Sequence, residues 1–187
     1  MDPSPESGSA VFTNHDGSRS RRLTYLPDPP LDLFGGKDGT AGLETLLEEV
    51  ARVLDMDLVL LGHVDADRYT TLAAYSRNPA LTLDKGFIIP IGNTYCREEI
   101  TADKPFVLGD ATLDPRFAEH PGYKVYGLRS YVGTPLRLPD GTLFGTLCGV
   151  DTRPHLVSLA AVERLVALSR EVTRELLRRM ARGRPGA

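Results

Sequence analysis

The chain contains no tryptophan, only two cysteines, and only four lysines (Lys37, Lys85, Lys104 and Lys124) among its 22 basic residues. Cys96 and Cys148 lie far apart, and no histidine pair stands at zinc-finger spacing. A disulfide framework and a structural zinc site are therefore not expected. No apolar stretch approaches the roughly 18 residues that a bilayer span needs, and the first residues hold no apolar run suited to a signal peptide. A cytoplasmic location with reduced thiols is the expectation. Charge of one sign is also missing: 22 basic residues face 25 acidic ones, for a net charge of -3. That balance argues against nucleic acid or a membrane surface as a partner, since both select strong positive patches. Glycine-rich phosphate loops are absent, so nucleotide hydrolysis has no support. What remains is 187 residues with 41% hydrophobic content, enough for one domain with a sizeable core.

Residues 1–39 are rich in Ser, Gly, Pro and Asp and carry little periodicity, so they read as a disordered or extended lead-in. The folded domain is expected over residues 40–180, with 181–187 as a flexible tail. Thr40 is a candidate N-cap for a helix whose Leu43, Leu46, Leu47, Val50 and Leu54 form one apolar stripe. Strands are expected over 57–64, 69–76, 86–90, 106–108, 130–138 and 143–150, the last two joined by a turn at Pro139-Asp-Gly141. A helix over 92–102, capped by Asn93 or Thr94, separates the third strand from the fourth. Ser158 caps a final helix to about Met180, with Leu159, Val162, Leu165, Val166, Leu168, Val172 and Leu176 on its inner side. Short turns between neighbouring strands call for an antiparallel sheet rather than an alternating parallel one. The fold class is α+β.

Four pieces occur in order between Ile91 and Asp151: Ile91-Gly-Asn-Thr-Tyr-Cys96, Val107-Leu-Gly-Asp-Ala-Thr-Leu-Asp-Pro-Arg-Phe117, Leu128-Arg-Ser-Tyr-Val-Gly-Thr-Pro-Leu136, and Gly141-Thr-Leu-Phe-Gly-Thr-Leu-Cys-Gly-Val-Asp151. Together they resemble the second half of a GAF domain, a small-molecule-sensing and dimerisation module of bacterial signalling proteins. The resemblance implies a six-stranded antiparallel sheet with the N- and C-terminal helices on one face. On the other face, the loop-rich middle segment would roof a ligand pocket.

Candidate ligand contacts are Tyr95, Cys96, Asp110, Phe117, Tyr123, Arg129, Tyr131 and Cys148. The segment from Asp110 to Tyr131 mixes rings with charges, the composition of a pocket that needs apolar walls and a few orienting groups. Asp114 in Asp-Pro-Arg-Phe fits a turn cap better than a ligand contact. Cys96, in the first turns of a helix, stands where the partial positive charge of the N-terminus favours a thiolate. Cys148, between apolar residues in a strand, reads as a small buried hydrophobe. Among the histidines, His15 falls in the lead-in, His63 in a buried strand, and His120 beside Pro121 at a solvent-facing turn; none has a metal-site partner.

Better-defined GAF branches lack their marks here. The free methionine-R-sulfoxide reductases draw a catalytic and a resolving thiol from three cysteines, whereas this chain has none between Asp110 and Tyr126. Bilin attachment normally places a histidine beside the cysteine, but Cys96 is followed by Arg97 and Cys148 by Gly149. The Asn-Lys-Phe-Asp-Glu signature of cyclic-nucleotide binders is missing. The leading expectation is a sensory module that binds an unidentified small molecule and signals through a homodimer of its terminal helices, or through a separate signalling protein. The alternatives are a thiol-dependent oxidoreductase with Cys96 as nucleophile and a purely structural dimerisation module. No cofactor is identified by the sequence.

Overall fold

A near-continuous apolar run marks the centre of the sheet, its alternate residues facing two cores. In β3 (Leu58–Val64), Val59 and Leu61 join the core on one side of the sheet while Leu58 and Leu60 join the core on the other. All seven residues of this strand are buried, so both faces are covered. The computed structural model describes residues 7–34 and 42–182. In chain order the remaining strands are β1 (Gly8–Thr13), β2 (Ser20–Tyr25), β4 (Arg68–Ser76), β5 (Ile88–Pro90), β6 (Phe106–Leu108), β7 (Ser130–Arg137) and β8 (Leu143–Asp151). The helices are α1 (Leu43–Leu54), α2 (Cys96–Ala102), α3 (Pro121–Lys124) and α4 (Leu159–Arg182).

Strands β3 to β8 pair antiparallel in the spatial order β6-β7-β8-β3-β4-β5. These are the six strands expected from the sequence. The sheet has eight strands, however, because β1 and β2 add a hairpin within the segment read as a disordered or extended lead-in. The hairpin joins through one parallel pairing, Tyr25 with Leu143, so the sheet is mixed rather than purely antiparallel. It stays because Phe12 and Leu23 are buried in the second core, and because Arg97 donates to the Thr13 carbonyl at 2.8 Å.

Helices α1 and α4 cover one face. Leu43, Leu47, Val50 and Leu54 of α1 and Leu165, Leu168, Val172 and Leu176 of α4 bury against Val59, Leu61, Val132 and Leu147 of the sheet. Leu159 is 74% exposed, so it belongs outside the inner stripe assigned to it. Thr40, the expected cap of α1, lies outside the described residues, and Gly42 takes the N-cap position without a side-chain hydrogen bond. The Ser158 hydroxyl accepts from the Ala161 amide at 3.2 Å, as a cap of α4 should. The β7–β8 turn closes through Gly141, whose φ of 85° lies in the left-handed region that favours glycine. Among the described residues no helix is long and apolar enough to cross a membrane.

The opposite face carries α2, α3 and the intervening loops over the second core. Here α2 is shorter than expected. A 3₁₀ turn over Ile91–Asn93 precedes it, and the Thr94 hydroxyl donates to the Ile91 carbonyl, closing that turn instead of capping α2. Tyr95 stands at the N-cap with no side-chain cap bond, so neither Asn93 nor Thr94 has the role assigned to it.

Candidate functional site

A cavity of about 160 Å³ lies between the second face of the sheet and the segments covering it. Its floor is Leu58 and Leu60 of β3, Tyr69 of β4, Ile89 of β5, Tyr131 of β7, and Cys148 and Val150 of β8. Its cover comes from three stretches: Leu81–Leu83, Asn93–Cys96, and residues of the α3 region including Gly122, Tyr126 and Leu128. The walls are mostly hydrocarbon. Polar groups gather at one side, where the start of α2 meets β7 and β8.

There, two hydroxyls converge on the Cys96 sulfur. The Tyr131 hydroxyl lies 3.3 Å from it and the Thr146 hydroxyl 3.5 Å, and Cys148 lines the same cavity wall. Cys148 and Thr146 are two apart on β8, so both side chains reach the same face. Burial alone would raise the Cys96 thiol. Hydrogen-bonding neighbours, Cys148 foremost and then Thr146 and Tyr131, outweigh it and bring the thiol down to about 7. Cys148 moves the other way, held as a thiol by its bond to Cys96 and by burial.

Glu99 completes the cluster. It is fully buried one helical turn after Cys96, and its Oε2 lies 2.6 Å from the Tyr131 hydroxyl. Burial, then the nearby Cys96 charge, push its carboxyl well above the ordinary range. A phenol carries one proton. With Glu99 protonated, the carboxyl donates to Tyr131 and Tyr131 donates to Cys96, giving each group one consistent role. Room for this arrangement comes from Gly133, which pairs with Cys148 across the ladder. A Cβ at Gly133 would collide with the Glu99 carboxyl and the Tyr131 hydroxyl.

Of the eight residues singled out in the sequence, Tyr95, Cys96, Tyr131 and Cys148 line the cavity. The other four do not. Asp110 and Arg129 form an ion pair with each other, the Arg129 Nε donating at 3.2 Å. That bond, helped by Thr112, holds the Asp110 carboxyl down at about 2. Phe117 is buried in an aromatic cluster with Tyr95, Phe106 and His120, behind the cavity wall. Tyr123 packs half-buried against the same core without lining the cavity. Asp114 caps its own turn, accepting from the Arg116 amide at 3.0 Å.

His120 was expected to face solvent, but it is only 1% exposed. Its ring stacks on Tyr95 with centroids 4.6 Å apart, and its Nδ1 accepts from the Gly122 amide to cap α3. His15, placed by sequence in a disordered lead-in, packs on Phe117 and His120. His63 is buried edge-on to Phe144 and does not line the cavity. Sequence reasoning missed Glu99, Tyr69, Thr146 and Leu60. The Tyr69 hydroxyl is buried and has no hydrogen-bond partner among the described residues.

A profile of the GAF domain matches residues 38–176. The chain belongs to the GAF domain family. Solved GAF structures agree with the fold. The GAF domain of an Acinetobacter phosphoenolpyruvate-protein phosphotransferase superposes with a TM-score of 0.58 at 20% identity, covering 75% of this chain and 83% of that one. The chromophore-binding domain of Stigmatella aurantiaca phytochrome P1 gives 0.57 at 13% identity, covering 77% and 55%. Among curated proteins, a cyclic di-GMP phosphodiesterase of Pseudomonas aeruginosa is 38% identical over 69 residues, 35% of this chain and 11% of that protein. The diguanylate cyclase DgcP of Escherichia coli is 27% identical over 108 residues, 57% of this chain and 31% of that protein. This GAF chain thus matches only a minor part of the length of either curated relative.

Proposed function

We propose that this GAF domain is a sensory module in signal transduction, binding a small and largely apolar molecule in the cavity over β3, β4 and β8. The observation that carries the reading is the covered apolar cavity lined in part by Tyr69, whose buried hydroxyl has no hydrogen-bond partner among the described residues. A buried polar group without a partner costs about 1–3 kcal/mol, which a ligand acceptor would recover. The volume sets the size class. Cavities near 150 Å³ hold molecules of about one aromatic ring, and pockets for drug-sized ligands begin at roughly 300 Å³.

Signalling follows from strand geometry. Leu58 and Leu60 touch the cavity while Val59 and Leu61, between and beside them, touch the core under α1 and α4. A ligand that shifts β3 repacks the helix layer, biasing an equilibrium between two arrangements. Leu46, Val53, Ala161 and Val162 on these helices are only partly buried, apolar surface that a second copy would cover in a homodimer. The similarity to proteins named for cyclic di-GMP turnover supports a place in signalling.

The test is a thermal-shift screen of small aromatic and aliphatic compounds, with native mass spectrometry of the protein as purified. A ligand at a hundred times its Kd adds about 2.7 kcal/mol. For a chain of this size that raises Tm by roughly 5–11 °C. Leu81→Trp places a ring in the cavity from a covering loop and should abolish the response while the protein stays folded. No responding compound, or an equal response in Leu81→Trp, would refute the proposal.

A further inference from the structure

The two cysteines are 52 positions apart in sequence, on α2 and β8, yet the fold brings both into the wall of one cavity, with Cys96 3.5 Å from the hydroxyl of Thr146, which shares its strand face with Cys148 two residues on. Both are free and buried, at 3% and 1% exposure. Burial keeps large thiol reagents away, while the cavity gives a small molecule a path to the sulfurs. We propose that Cys96 and Cys148 form a redox-active dithiol, in which a small hydroperoxide oxidises Cys96 and Cys148 then closes an intrachain disulfide tying α2 to β8. The inference holds whether or not the cavity also carries a ligand.

The roles follow from the contacts. Cys96 receives hydrogen bonds from Tyr131 and Thr146, which stabilise its thiolate, the form that attacks. Cys148 keeps its proton and stands ready to resolve. In the first step the Cys96 thiolate attacks one peroxide oxygen. An S–O bond forms and the O–O bond breaks. The leaving alkoxide or hydroxide takes a proton from the Tyr131 hydroxyl, which Glu99 replaces. Glu99 regains its proton from solvent, and Cys96 is a sulfenic acid, oxidised by two electrons as the peroxide is reduced. In the second step the Cys148 sulfur attacks the sulfenic sulfur; the S–S bond forms, the S–O bond breaks, and the hydroxyl leaves with the Cys148 proton as water. The net change is two thiols and one hydroperoxide to one disulfide, one alcohol and one water.

The disulfide would remove the acceptor that Tyr131 and Thr146 now use, and would fix the first turn of α2 to the sheet. Because both cysteines line the cavity, its wall changes shape with oxidation state.

The experiment treats the full chain with hydrogen peroxide, at concentrations too dilute for cross-linking between chains. Non-reducing peptide mapping then seeks a Cys96–Cys148 cross-link, with the intact mass lower by two hydrogens. Cys148→Ser should stop at a sulfenic acid that dimedone traps, and Cys96→Ser should trap nothing. Tyr131→Phe removes one donor from the sulfur and should slow oxidation several-fold with the fold kept, checked by circular dichroism. Native wild type that keeps both thiols while the urea-unfolded chain oxidises would overturn the proposal. So would dimedone capture in Cys96→Ser equal to that in Cys148→Ser, or an unchanged rate in Tyr131→Phe.

Discussion

Acidification should destabilise this domain through two histidines, and the size of the loss follows from their surroundings. His63 is completely buried and His120 nearly so. Burial lowers His63 from 6.5 to about 4, against the opposing pull of Asp65. Burial does the same to His120, reinforced by its neighbours His15 and Arg97. The unfolded chain takes up both protons as pH falls through 6.5, whereas the folded chain does so only near 4. Between these values the unfolded state binds more protons, so stability rises with pH. The contribution is complete above 6.5 and is lost as pH falls toward 4. Integrating over that interval gives about 2 kcal/mol lost per histidine from about pH 7 to about pH 5, or about 4 kcal/mol for the pair.

Urea unfolding at a series of pH values measures this loss, and variants isolate it from the carboxylates that also titrate on acidification. His120→Asn keeps an acceptor for the Gly122 amide but removes the titrating ring, so its loss over the same interval should be about 2 kcal/mol smaller than in wild type. His63→Leu should reduce the loss by a similar amount. The absolute stability of either variant can fall, since ring contacts with Tyr95 or Phe144 disappear; the pH slope is the readout. Wild-type slopes in both variants would show that neither histidine is held neutral by the fold.

Two further substitutions probe the site. Gly133→Ala drives a methyl into the Glu99 carboxyl and the Tyr131 hydroxyl, and should cost about 1–3 kcal/mol in urea unfolding with an altered near-ultraviolet tyrosine signal. An unaltered midpoint would mean the cluster has slack. Arg129→Met breaks the half-exposed pair with Asp110 and should lower the unfolding midpoint only slightly. Because that pair is off the cavity, any ligand-induced thermal shift should match wild type, and its loss would return Asp110 and Arg129 to the binding site.

What the sequence revealed depended on how local each determinant is. The stripe Leu43, Leu47, Val50, Leu54 and the six apolar, turn-bounded strands carry their signals within single segments, so they are readable. The hairpin of β1 and β2 was not. Its residues are mostly exposed and polar, and what holds it is remote: Tyr25 on Leu143, the Thr13 carbonyl on Arg97, and the His15 amide on Glu98 at 2.6 Å. Cavity lining divides along the same line. Tyr95, Cys96, Tyr131 and Cys148 line the cavity because their elements fall where the sequence puts them. Asp110 and Arg129 lie off it, paired with each other, because composition does not distinguish charges awaiting a ligand from charges that satisfy each other.

Glu98 and Glu99 make the point most sharply. In sequence they are interchangeable acids in the first turn of α2, suited to the helix dipole. A 100° step around a helix sends their side chains apart. Glu98 turns to the N-terminal hairpin and accepts from the His15 amide, so its charge is useful there. Glu99 enters the thiol cluster, where a charge beside the Cys96 thiolate would be repelled and where only a protonated carboxyl can donate to Tyr131. Its state is decided by burial, by Cys96 and by Tyr131, and the packing against Tyr131 and Gly133 comes from more than 30 positions away, so no pattern within the helix could have assigned it. Exchange of each for glutamine should therefore have different consequences. At Glu99 the amide can still donate to Tyr131 but can supply no proton, so peroxide oxidation of Cys96 should slow while the fold persists. At Glu98 the thiols should react as in wild type.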